Sequence, residues 1–124
     1  MAVIEMGANH RGEIAGYCRY TLPTHGLITN CGKAHLEGFG GVEGVRKGKG
    51  ELFDYLRSIR HGTAFVMWDY DYLQEMSRGI SRVIRYGTTN EADICGQAIA
   101  SEPFLEATLS KGADTGTIHT HLVG

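Results

Sequence analysis

Three residues with the means to do chemistry, Lys49, His35 and Glu5, stand among glycines or at the end of an apolar run. Lys49 falls in VRKGKGELF, inside a segment where Val42, Val45, Leu52, Leu56 and Ile59 recur at helical spacing. Counting Lys49 among them gives steps of three, four, three, four and three, so the lysine sits within the apolar stripe. A snorkelling lysine explains this blandly: the stem packs and the ammonium escapes to water. Gly48 and Gly50 flank it, however, and each glycine inside a helix costs roughly 1 kcal/mol relative to alanine. That expense fits a close approach to the backbone. A lysine partly removed from water also yields its neutral, reactive amine more readily. On spacing alone both readings stay open.

His35 lies in GKAHLEGFGG, a loop between an apolar run and the Lys49 helix, together with the carboxylate of Glu37. In parallel α/β sheets such loops, beyond the carboxyl ends of the strands, are where ligands bind. Glu5 ends the run AVIEM, and a carboxylate closing a buried strand is costly unless it is paired, hydrogen-bonded or bound to a metal. A strand-end Glu, a loop His and a helix Lys at one sheet edge are a stronger signal together than singly. A hard cation would take oxygens from Glu5, but imidazole is not a usual magnesium ligand, so the residues leave the metal open. His119 and His121 share one face of a strand; with His35 they offer a weaker zinc-hydrolase reading. No G-x-x-x-x-G-K-[ST], G-x-S-x-G or H-E-x-x-H occurs anywhere.

The elements that must hold these residues are readable from periodicity. Ala2–Met6, His25–Asn30, Thr63–Trp68 and RVIRYG are short apolar runs of strand type. Helical patterns fall before Pro23, from Val42 to Ile59 and in DYLQEMSRGI. Strands alternating with helices predict an α/β fold, a mostly parallel sheet with helices on both faces. After Gly87 the pieces ADICGQAIA, FLEATLSK and TGTIHTHLV are short and punctuated by Pro, Gly and Asp. They predict a small antiparallel meander at the C-terminal end, with residues 1–88 forming the parallel part and 89–124 the antiparallel part.

Bulk properties narrow the classes. The chain has 124 residues, enough for one core. Its net charge of -2 offers no footprint for nucleic acid or an anionic membrane. No apolar stretch is long enough to span a bilayer, and the N-terminus lacks a secretion signal. Three cysteines without a C-x-x-C spacing predict reduced thiols in the cytoplasm. Glycine, at 18 residues, is about twice its usual share.

At VIEMGANHRGEI, ITNCGKAHLEGFG and EGVRKGKGELF the sequence resembles the Mur ligases, and most closely those of the MurF type. The resemblance runs along the whole chain, strongest from Val3 to Phe53. It implies a piece of the central ATP-binding domain of a three-domain ligase of peptidoglycan precursor synthesis. Such ligases form an acyl phosphate on UDP-N-acetylmuramoyl-tripeptide, which the amine of D-alanyl-D-alanine then attacks. The cofactors implied are ATP and Mg2+. By resemblance Glu5 and His35 are metal ligands, and Lys49 is a carbamylated residue whose oxygens hold a second magnesium. Asn30 is implied at the nucleotide, and Asn9 and His10 at the substrate.

The chain also departs from the family. Members carry a phosphate loop upstream of the Glu5 strand and an Asn-containing helix after the last strand, and many have Asn where Met67 stands. The chain is therefore expected to be catalytically silent by itself and to self-associate through an exposed sheet edge. The alternative is a stand-alone, non-catalytic binding or scaffold module of the same fold.

Overall fold

The computed structural model describes residues 1–32, 38, 40–101, 103–113 and 116–123. Three helices are present among them: α1 (Glu13–Thr21), α2 (Val42–Ser58) and α3 (Asp71–Met76). Six strands, β1 (His25–Leu27), β2 (Thr63–Met67), β3 (Arg82–Gly87), β4 (Ile94–Ser101), β5 (Phe104–Lys111) and β6 (Gly116–Val123), lie side by side in chain order. β1 to β4 pair in parallel, and β4 to β6 form the expected antiparallel meander.

The run Ala2–Met6 is not a strand. It has no ladder partner among the described residues, and Val3 and Ile4 are largely exposed. An apolar run becomes a strand only when a neighbour takes up its backbone groups. α1 ends where Pro23 requires: Leu22 caps it in the left-handed region at φ 49°, and its N–H donates to the Cys18 carbonyl at 3.0 Å. At the other end Gly12 starts the helix at φ 92°, a conformation suited to glycine.

α2 has the predicted span, but the stripe is displaced. Val42 is 43% exposed, whereas Phe53, which lies off the stripe, is 1% exposed beside Val45 and Leu56. The helix is wedged between sheet, α1 and α3, so it buries a wider arc than one seam. Because β1, β2 and β3 advance in one direction, right-handed crossovers carry α2 and α3 to the same face. There Ala64 and Val66 of β2 share one core with Val45, Phe53, Leu56 and Leu73. Among the described residues these two crossover helices share one core on one face of the sheet. On the opposite face Phe65 is half-buried and stacks on His25 at 6.1 Å.

The parallel contact between β3 and β4 is brief. Only Tyr86↔Ile94 and Gly87↔Cys95 pair, so β4 leaves the end of β3 and carries the meander past the carboxyl edge of the parallel strands. Six residues make this connection, far fewer than a helical crossover needs. The short overlap is what makes it possible.

Candidate functional site

The chain leaving β1 is pinned from three directions. Lys49 of α2 donates from Nζ to the Asn30 carbonyl at 2.8 Å. Asn30 closes a local turn, its Oδ1 accepting the Gly32 N–H at 3.0 Å. The Cys31 N–H donates to the Tyr72 hydroxyl of α3 at 3.1 Å. Asn30 and Lys49, singled out separately from the sequence, are therefore in direct contact. Lys49 is partly buried, with its ammonium engaged by the Asn30 carbonyl.

Cys31 lies inside this knot. Burial pushes its thiol above the usual range, while the positive charges of Lys49 and Arg46 pull it back down. Two cations one helical turn apart thus act at the end of β1. Arg46 holds its guanidinium 4.7 Å from the Tyr72 ring centre, and its buried Nε has no hydrogen-bond partner among the described residues. Gly48 and Gly50 beside Lys49 are both buried, and for Gly50 the neighbour is plain packing: the methyl end of Met76 stands 3.3 Å from where its side chain would begin.

Asn9 and His10 form a second group. Both are tied to Glu13: the Asn9 N–H donates to Oε2 at 2.8 Å, and His10 Nδ1 lies 3.4 Å from Oε1. The Asn9 hydrogen bond holds the Glu13 carboxyl below its usual range. Gly38, three residues after His35 in sequence, packs on this segment so closely that the Asn9 carbonyl fills the space a side chain would need. His35 itself, with Glu37, lies outside the described residues.

Glu5 departs from its expected setting. Its carboxylate is exposed and has no hydrogen-bond partner among the described residues, so it is not a buried charge needing compensation. The reason is the missing ladder at Ala2–Met6. His119 pairs with Glu106 at 2.9 Å, and His121 sets its ring edge-on against Phe104. No three potential His, Cys, Asp or Glu ligands converge among the described residues.

Three residues at this edge escaped sequence reasoning. Tyr72 and Arg46 carried no periodic signal, since Tyr72 bonds to the chain after β1 and Arg46 to the Tyr72 ring, both distant in sequence. Glu51 stands two places after Lys49 in VRKGKGELF, with no local sign of its partners. Its carboxylate accepts the N–H groups of Gly12 at 2.7 Å and Ala15 at 3.0 Å. An open groove of about 580 Å³ runs past Arg11, Arg46, Glu51 and Tyr72, and its mixed charges favour neither sign of ligand.

This α/β sheet with its meander, and the Lys-bearing helix behind β1, belong to a ligase domain. Over residues 1–124 the chain matches the Mur ligase middle domain, and it belongs to that family. Its relatives are of the MurF type. The UDP-N-acetylmuramoyl-tripeptide–D-alanyl-D-alanine ligase of Escherichia coli is 56% identical over 55 residues, covering 44% of this chain and 12% of the relative. That of Haemophilus influenzae is 40% identical over 80 residues, covering 64% and 17%. Among solved structures, MurF from Acinetobacter baumannii superposes with a TM-score of 0.81 at 25% identity, covering 99% of this chain and 27% of that one. MurF from Thermotoga maritima, solved with ADP, gives 0.76 at 23% identity, covering 92% and 26%. The chain thus spans about a quarter or less of the proteins it matches.

Proposed function

We propose that this chain acts as the central domain of a cytoplasmic, ATP-dependent ligase that joins D-alanyl-D-alanine to UDP-N-acetylmuramoyl-tripeptide in peptidoglycan synthesis. The observation carrying the reading is the Lys49–Asn30 contact at the carboxyl edge of β1, in a chain matched end to end by the family domain. Residues 1–88 would supply the parallel part and 89–124 the meander. Three free, buried cysteines agree with a reducing compartment.

The residues that the resemblance implies as ligands have the chemistry that magnesium requires, in part. Glu5 is an exposed carboxylate without a partner among the described residues, a hard oxygen donor. Lys49 as an ammonium cannot ligate a cation, but its amine can. When the neutral nitrogen bonds to the carbon of carbon dioxide and loses a proton, it becomes an anionic carbamate with two oxygens. That nitrogen keeps one N–H, so its bond to the Asn30 carbonyl survives the modification. His35 would complete the set by resemblance. Magnesium held there would neutralise phosphate oxygens of the nucleotide. Asn30 would orient the nucleotide from the end of β1, and Asn9 and His10 would meet the substrate from the start of α1.

With no phosphate-loop pattern in its 124 residues, the chain alone would not turn over ATP. The outer edges of β1 and β6 have no neighbour among the described residues and would pair with a second copy at high concentration. Light scattering over a concentration series checks that. The main test is Lys49→Ala in the complete ligase, together with intact mass under carbon dioxide. The expected result is loss of ligation by roughly 100-fold or more, and a mass gain of one carbon dioxide confined to wild type. Near-normal ligation by Lys49→Ala would sink the reading.

A further inference from the structure

Glu51 and Lys49 lie two residues apart on α2, so they leave the helix in widely different directions. Lys49 reaches the end of β1 through Asn30. Glu51 reaches the start of α1, where it does what the local sequence cannot. The first residue of α1 is preceded by Gly12, which has no side chain to cap the helix, and no side-chain cap is formed there. The first turn therefore begins with N–H groups that need acceptors. Glu51 takes two of them, Gly12 and Ala15, at 2.7 and 3.0 Å, across 39 and 36 residues of chain. Its negative charge also suits the positive end of the helix dipole, and it is close enough to raise the buried Cys18 thiol, second to burial itself.

The same turn holds the Asn9–His10 segment. Glu13, in the first turn, binds Asn9 N–H and meets His10, and Asn9 in turn sits against Gly38. A continuous set of contacts thus runs from Asn30 through Lys49, along two residues of α2 to Glu51, on to the start of α1, and from there to Asn9 and His10. We propose that Glu51 is a positioning residue that fixes the Asn9–His10 segment relative to Lys49, and so aligns the two sides of the ligation site. This rests on the ligase reading above. Glu51 touches backbone amides only and acts through the residues they carry. Two hydrogen bonds accepted by one carboxylate set both the distance and the tilt of α1 against α2, which a single contact would not do.

The test is a series in the complete ligase: Glu51→Ala, Glu51→Asp, Glu51→Gln and, as a control, Ile14→Ala, which leaves a cavity under α1 without touching the carboxylate. Glu51→Ala should lower kcat/KM for ligation roughly 10- to 100-fold. Glu51→Asp keeps the charge but is one methylene short, and should resemble alanine. Glu51→Gln keeps one acceptor oxygen at the correct reach and should recover much of the loss. Ile14→Ala should lower the thermal midpoint at least as far while leaving kcat/KM near wild type. Amide exchange at Gly12 and Ala15 should accelerate in the Ala and Asp variants. Rescue by Asp rather than Gln, or equal kinetic losses in Glu51→Ala and Ile14→Ala, would overturn the positioning role while leaving the ligase reading intact. A wild-type protein unable to ligate D-alanyl-D-alanine would overturn both.

Discussion

In the parallel part of the sheet Ala64 and Val66 are fully buried beneath α2 and α3, whereas in the meander Ile99, Ile118 and Leu122 are 49%, 50% and 66% exposed. Among the described residues every buried apolar side chain lies at or before Cys95. The first region is held by apolar burial and is rigid for that reason. The second is held by strand pairing and by a polar junction where it leaves β3. At that junction Asp93 accepts three hydrogen bonds from Arg85, at 2.8, 3.1 and 2.8 Å, two of them from its guanidinium. Lys111 donates to the carbonyls of Asn90 and Ala92, and Thr88 is gripped by Asp69. A sheet can therefore change its means of support within six residues, provided the connection itself is well bonded.

The largest expected effect is in the parallel core. Leu56→Ala should cost about 2–5 kcal/mol in denaturant unfolding, while Ile118→Ala in the meander should stay within about 0.5 kcal/mol. Equal losses at the two sites would erase the distinction between a buried half and an exposed one. The junction should respond next. Gly112 sits at φ 80°, and the Asp93 carbonyl occupies the space where its side chain would start. Gly112→Ala should cost about 1–2 kcal/mol from the backbone alone, with exchange accelerating first at the β4–β5 amides. Preferential loosening around α2 would contradict that assignment.

The smallest effect is a pH response. Arg85 holds the Asp93 carboxyl at about 2, below its ordinary 3.8, chiefly through the side-chain hydrogen bonds. A depressed carboxylate contributes stability above its unfolded value and loses it as the acid form fills. Protection of the junction amides should therefore be full above about pH 4 and decline between about 3.8 and 2. The pair is partly exposed, so the decline will be modest and reduced by salt. Asp93→Asn should flatten this profile. A variant profile parallel to wild type would move the acid sensitivity to another group.

Much of the fold was legible because periodicity reports local burial. Val42–Ser58, Arg82–Gly87 and Phe104–Lys111 follow their sequence patterns closely, since each segment's pattern survives in its packing. Ala2–Met6 did not follow, because strand pairing depends on a neighbour that local apolarity does not specify. The site divides similarly. Lys49 and Asn30 were visible as anomalies of type and place, yet nothing in either local stretch announced that one would bond to the other. Tyr72, Arg46 and Glu51 were invisible as site residues because their partners lie 41, 26 and 36–39 residues away or act across a ring face.

The sequence by itself determined the element types, the meander, the family resemblance and the residues able to do chemistry. These follow from backbone preference, hydrophobic period and side-chain identity, all of them local. Only the tertiary structure decided that both crossover helices share one face, that Glu5 stands exposed, and that Glu51 caps a helix far away in the chain. Those outcomes turn on which distant groups come within hydrogen-bond reach, and that is settled by packing rather than by any segment alone.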